Sequence, residues 1–302
     1  MRLATILNPK TRRHEAVAQR PDGWVPLHEL WSDVDRMEKA LPHLAEIRRR
    51  LAASDIPGQS FDVFLPPVPR PATFRDFYAF EQHVATCRKR RGLAMEPAWY
   101  AQPVFYFSNP VALVGQDAAV HPPAGCVELD YELELAAIVG KQGRDIAAAD
   151  AWKHIAGFTI LNDLSARDLQ RKEVPVGLGP AKGKDFATAV GPWLVTLDEL
   201  EDRIDSGGRI ALEMSGRLNG RELSRGNSGT MYFTWPQLIA QASRDAELLP
   251  GDLIGSGTVG TGCILELGPE NTGGWLKSGD HVELEIERLG TLRTHIVPRP
   301  EK

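Results

Sequence analysis

Cysteine is scarce in this chain: of 302 residues, only Cys87, Cys126 and Cys263 carry thiols. They are odd in number, widely spaced and without a CxxC pair, which argues against a disulfide framework and against a thiolate zinc site. Long apolar runs are missing as well. No stretch is long enough to span a membrane, and the start, MRLATILNPKTRRHE, lacks the apolar segment of a secretory signal. The expectation is a cytoplasmic protein with no membrane partner. Neither sign of charge dominates: 35 Lys and Arg stand against 40 Asp and Glu, for a net charge of −5, so nothing points to a nucleic-acid partner. The one basic run, RKRR at residues 88–91, is too short for a binding face and reads as a solvated helix surface. There is no internal repeat. The GxxxxGK[ST] phosphate loop is absent too, since Lys184 in GLGPAKGKDFATAVGPW is followed by Asp185.

What remains is a chain of ordinary composition, 42% hydrophobic and 25% charged, able to bury a full core. Its first 65 or so residues read as a small α/β appendage, with a strand at residues 3–7 and a helix from about Asp33. Met37, Leu41, Leu44, Ile47 and Leu51 recur at helical spacing along that helix, and Ser32 or Asp33 is placed to cap it. The proline-studded FLPPVPRPATF (residues 64–74) suits an extended linker, which puts a boundary near residue 70. Residues 75–91 look helical, and beyond Trp99 strands dominate. VELDYELELAAIVG alternates and then becomes continuously apolar; HVELEIE sets Val282, Leu284 and Ile286 against three glutamates, as a half-solvated strand does. No regular βαβ alternation appears, which weakens a doubly wound reading. The expected class is α+β, mostly β.

On a strand, Glu132 and Glu134 emerge on one face, opposite Leu133 and Leu135. A solvated face explains such a pair when taken alone. The apolar AAIVG that follows directs this strand inward, however, and Asp163 closes a second apolar segment, FTILND. Buried acids are costly unless they serve a purpose. Oxygen-only ligands suit a hard cation, Mg2+, Ca2+ or Mn2+, better than zinc, and no His/Cys cluster at zinc spacing competes.

Together, DYELELAAIVG, FTILNDLSARDLQ, GPAKGKDFATAVGPW, LLPGDLIGSGTVG and SGDHVELEIERLG resemble the fumarylacetoacetate hydrolase family, in its order and at plausible spacing from about Thr73 onward. RDFYAFEQHVAT (residues 75–86) is similar to the segment of fumarylacetoacetate hydrolase itself. The resemblance implies a mixed β-sandwich roll over residues 71–302, with residues 1–70 as the appendage, and a homodimer. It adds Asp76 to Glu132, Glu134 and Asp163 as metal ligands. It makes His83 the base and Glu266 its partner, and it lines the site with Arg167, Lys184 and Gln170. Tyr78, Tyr106 and Thr258 become substrate contacts. If residues 75–91 form one helix, His83 lies two turns after Asp76 on the same face.

The implied activity is hydrolysis of a carbon–carbon bond in a small oxo-acid, an acylpyruvate or related 1,3-diketo acid, in the catabolism of aromatic compounds or amino acids. Decarboxylation, tautomerisation or hydration on the same platform is the rival reading, and a catalytically idle scaffold is a more distant one. Three departures bear on substrate more than on reaction type: Val174 stands where fumarylacetoacetate hydrolase has a tyrosine, RKRRG after His83 departs from the family pattern, and the loop from Thr258 to Glu266 is shorter.

Overall fold

A computed structural model describes residues 1–300. The chain opens with strands β1 (Arg2–Leu7), β2 (His14–Arg20) and β3 (Gly23–Pro26), followed by helix α1 (Leu44–Ala52). Next come β4 (Phe74–Phe77), α2 (Glu81–Arg90), β5 (Phe105–Phe107), β6 (Leu133–Val139), β7 (Ile155–Asn162), α3 (Arg167–Glu173) and β8 (Thr188–Thr196). The rest is β9 (Glu213–Leu218), β10 (Arg221–Asn227), α4 (Trp235–Ser243), β11 (Leu253–Thr258), α5 (Ile264–Leu267), β12 (His281–Ile286) and β13 (Gly290–Ile296).

Nine of these strands form one mixed sheet in the order β3-β2-β1-β8-β7-β6-β11-β4-β5, with two-residue strands Phe64–Leu65 and Leu113–Val114 pairing β1 and β8. A five-stranded sheet, β10-β9-β12-β13 plus Ala118–Val120, packs against it. The class is as expected, mostly strand and mixed in direction.

The centre of the large sheet is apolar on both faces because both are covered. On β6, Leu133, Leu135, Ala137 and Val139 join the core shared with the second sheet and α4, whereas Ala136 and Ile138 join the core under α1. This is the two-residue period of a strand. Every residue of β7 is buried. Its Gly157 is required by close approach, since a Cβ there would lie 2.0 Å from the Val195 carbonyl on β8.

Three local expectations change. The helix foreseen from Asp33 begins at Met37, with Arg36 at the cap position. It is interrupted by a 3-10 turn, Leu41–His43, that includes Pro42, and it resumes as α1. Met37, Leu41, Ile47 and Leu51 are buried as the spacing required, while Leu44 is half-buried. The FLPPVPRPATF stretch is no free linker: Phe64–Leu65 pairs β1 and Val68 is buried, while β1 pairs β8, so residues 1–70 share the main sheet. Residues 75–91 are not one helix. Phe74–Phe77 is a strand held between β11 and β5, and only Glu81–Arg90 is helical, because two ladders override a weak local preference.

Candidate active site

Five neighbouring strands each deliver one residue to the same place. Asp163 follows β7, Glu134 is on β6, Thr258 on β11, Asp76 on β4 and Tyr106 on β5. Register fixes their alignment: Glu134 lies opposite Thr258, Gly255 opposite Asp76, and Asp76 opposite Tyr106. Carboxylate oxygens of Asp76, Glu134 and Asp163 lie within 4.8 Å of one another, all buried. Both oxygens of Asp76, Oε2 of Glu134 and Oδ1 of Asp163 have no hydrogen-bond partner among the described residues. Burial, reinforced by the neighbouring acids, raises the pKa of Asp76 and Glu134 well above the carboxylate range; burial also raises that of Asp163. Orphaned, mutually repelling buried oxygens of this kind fit a hard cation.

Glu132, the fourth acid of the expected cradle, lies beside these three and shares Lys184 with Asp163. Its carboxylate accepts from Arg167 Nη2 at 2.6 Å and from Lys184 Nζ at 2.5 Å. Burial opposes its ionisation, but these two cations hold its pKa well below the usual range. Lys184 also bonds to Asp163, and Tyr106 donates to Asp163 Oδ2 at 2.6 Å. Thr258 Oγ1 donates to Glu134 Oε1 at 3.2 Å, and Arg167 Nη1 donates to Gln170 Oε1 at 3.2 Å.

The His83–Glu266 pair meets across 183 residues of sequence, Nδ1 to Oε1, at 2.5 Å. His83 comes from α2 and Glu266 from α5, whose other carboxylate oxygen accepts from the Thr261 amide at 2.9 Å. Burial works against a charged ring, yet the Cys263 and Glu266 side chains outweigh it and raise the His83 pKa well above that of an ordinary imidazole. The Nε2 side faces Glu132, 3.9 Å away, and the Tyr78 ring packs edge-on against the imidazole. His83 and Asp76 therefore share a site, but across a strand and a helix rather than along one helical face.

All twelve residues singled out in the sequence come together around one cleft of about 600 Å³, eleven of them lining it, with Leu93, Val104, Phe105, Val174 and Leu265 among its apolar wall. Glu266 stands behind His83. A depression of similar volume lies beside Met1, Arg2, Arg20 and Arg288; Met1, Arg20 and Arg288 are paired with Glu199, Asp22 and Asp202, and Arg2 donates to Gln19.

Several residues escaped the sequence reading. Asp130, fully buried, accepts from the Ile264 and Leu265 amides at 2.7 and 3.0 Å and from Arg167 Nε at 2.9 Å, tying α5 to the cation pair. Its position in DYELEL was the available signal. The RKRR run is only partly a solvated face: Arg90 Nε donates to the Glu266 carbonyl at 3.1 Å and Arg91 lines the cleft. The cysteines, too widely spaced to suggest a cluster, are not all isolated, since Cys87 and Cys263 meet beside His83.

The profile described as fumarylacetoacetate (FAA) hydrolase C-terminal matches residues 72–297. The chain belongs to the fumarylacetoacetate hydrolase family. A human mitochondrial oxaloacetate tautomerase is 34% identical over 265 residues, covering 86% of this chain and 78% of that protein. In fold, the chain is similar to fumarylacetoacetate hydrolase from psychrophilic Exiguobacterium antarcticum, with TM-score 0.77, 24% identity and coverage of 99% and 100%. It is similarly close to maleylpyruvate hydrolase from Sphingobium sp. SYK-6 in complex with manganese(II) and pyruvate, with TM-score 0.74, 23% identity and coverage of 99% and 100%. Family relatives thus carry names of tautomerases and hydrolases alike. Among the described residues no helix is long and apolar enough to cross a membrane.

Proposed function

We propose that this chain is a metal-dependent hydrolase that cleaves a carbon–carbon bond in an acylpyruvate or related 1,3-diketo acid. The observation that carries this reading is the His83–Glu266 pair opening onto the same cleft as three converging acids, each with at least one oxygen lacking a hydrogen-bond partner among the described residues. Asp76, Glu134 and Asp163 would hold one hard divalent cation (Mg2+, Mn2+ or Ca2+), which when bound supplies Lewis-acid polarisation of the substrate's oxygens. Manganese(II) and pyruvate in the Sphingobium hydrolase support that choice of ion and substrate class. Glu132 orients Arg167 and Lys184 and is the fourth acid proposed to face the ion.

His83 accepts a water proton at Nε2, because Nδ1 is taken by Glu266. Glu266 fixes the tautomer and stabilises the imidazolium. The hydroxide adds to the carbonyl carbon, and the carbon–carbon bond then breaks with its electron pair passing to the neighbouring carbon as an enolate. Lys184, Arg167 and Gln170 face the oxygens on which that negative charge collects. The proton on Nε2 is then returned to the enolate carbon, which leaves His83 neutral again. Tyr78, Tyr106 and Thr258 bind and orient the substrate. A cytoplasmic homodimer acting in catabolism of aromatic compounds or amino acids completes the proposal.

The decisive assay follows loss of the enol absorbance across a panel of acylpyruvates with and without Mg2+ or Mn2+. Val174 removes one polar contact, worth about 1.5–3 kcal/mol, so smaller or more apolar acylpyruvates should exceed fumarylacetoacetate in kcat/KM by roughly ten- to a hundredfold. Preference for fumarylacetoacetate over every other member of the panel rejects that substrate assignment. A second reading, tautomerisation of an oxo-acid, is supported by the name of the human relative. Oxaloacetate enol–keto exchange, with no product of carbon–carbon cleavage from any acylpyruvate, would favour it.

A further inference from the structure

Two buried thiols and the dyad histidine make up a second, softer ligand set that the proposed reaction does not use. Cys87 follows His83 by one turn of α2, and Cys263 stands at the N-cap of α5, the short helix that carries Glu266. One ligand atom each from His83, Cys87 and Cys263 lies within 4.8 Å of the other two, and all three residues are buried. Cys87 Sγ is 3.8 Å from both ring nitrogens of His83. A tetrahedral zinc ion, with bonds of about 2.3 Å to sulfur and about 2.0–2.1 Å to nitrogen, separates such ligands by roughly 3.6 Å. The existing gap is therefore close to a ligating one. Both His83 and Cys87 line the cleft, which gives an ion a route in. The donor types also differ from those of the acid cluster: nitrogen and sulfur select soft or borderline cations, whereas carboxylates select hard ones.

We propose that His83, Cys87 and Cys263 form an inhibitory site for a soft divalent cation, Zn2+ or Cd2+, separate from the cradle of Asp76, Glu134 and Asp163. Each thiol releases its proton as its sulfur becomes a ligand, so binding strengthens as pH rises. The histidine nitrogen that ligates the ion can no longer serve the dyad. If it is Nδ1, the bond to Glu266 is replaced; if it is Nε2, the proton acceptor is blocked.

The test is Cd2+ titration of the protein saturated with Mg2+. A cadmium–thiolate charge-transfer band should rise in the ultraviolet and level off at one equivalent. It should fall by half or more in Cys87→Ser and in Cys263→Ser, and it should persist at full height in Cys126→Ser. Cd2+ binding without that band, or a band undiminished in Cys87→Ser, overturns the proposal. Should either serine variant fail to fold, the wild-type protein still decides. Co2+ at this site gives the intense visible absorption of tetrahedral sulfur coordination, and only the weak spectrum of an oxygen-bound ion means the site is wrong. These spectra do not depend on which reaction the enzyme performs. The kinetic arm does: Cd2+ should suppress turnover at saturating Mg2+, and Cys87→Ser should relieve that suppression at least tenfold.

Discussion

At the scale of single residues, the dyad sets the pH behaviour. The His83 pKa is raised, so the ring keeps its proton to higher pH than a free imidazole, and the neutral base is present only above that pKa. Activity should therefore climb with pH through the His83 titration. Glu266→Gln removes one cause of the raised pKa, so the acid limb of kcat/KM should move to lower pH while the plateau falls about a hundredfold or more. A limb that stays in place separates Glu266 from the titration. His83→Gln should abolish hydrolysis yet leave Mg2+ affinity unchanged, because the ion's ligands are carboxylates. The two losses should be far from additive. Asp130→Asn tests a positioning role. It weakens a buried ion pair with Arg167, a change that costs about 3–5 kcal/mol when one partner is removed outright. It should lower kcat/KM at least tenfold with little change in Mg2+ affinity. If calorimetry instead shows the ion lost in parallel, Asp130 belongs to the cradle. Sequence spacing revealed Glu132, Glu134 and Asp163 as candidates because each adjoins an apolar strand. It did not reveal Asp130, whose partners are 37 to 135 residues away.

At the scale of elements, the strongest lesson is β4. RDFYAF offers only a few residues before α2, too few to separate a helix from a strand by period, and pairing with β11 and β5 decides the matter. That pairing makes Gly255 a hidden part of the site, since a Cβ there would stand 2.2 Å from Asp76 Oδ1. Gly255→Ala should displace the Asp76 carboxylate and weaken Mg2+ binding at least tenfold, about 1.4 kcal/mol, with a native far-ultraviolet spectrum. Calorimetric titration checks this, and unchanged affinity would remove Asp76 from the ligand set. The proline-rich stretch before β4 misled in a similar way: proline disfavours helix, but it does not forbid packing on a sheet flank. By contrast, β12 was legible because its alternation extends over six residues with one environment per face, and β6 because its continuous apolar run matches burial on both faces.

For the molecule as a whole, the acid cluster links stability to pH and to the ion. Asp76, Glu134 and Asp163 have folded-state pKa values above their unfolded ones, so from about pH 4 upward the native state binds more protons than the unfolded chain, and this term lowers stability as pH rises. A divalent cation competes with those protons and removes the repulsion between the acids. The rise in melting temperature produced by Mg2+ over a chelator should therefore be small near pH 4 and grow toward neutrality. A Mg2+ effect that is flat across that range would place the ion elsewhere. The general architecture could be read from motif order and strand-rich patterning, whereas the extension of the large sheet by β1–β3 could not, because it depends on β1 meeting β8 nearly two hundred residues away. The row of five adjacent strands has a further consequence, for how such a protein can diversify. Neighbouring strands lie about 4.8 Å apart, so the spacing of the acids is inherited from backbone hydrogen bonds, while Arg91, Leu93 and Val174 belong to segments outside that ladder. Mutational drift at the rim can exchange one oxo-acid for another without dismantling the cradle. A directed-evolution library confined to residues 91–93 and 171–180 is accordingly the shortest route to new substrates.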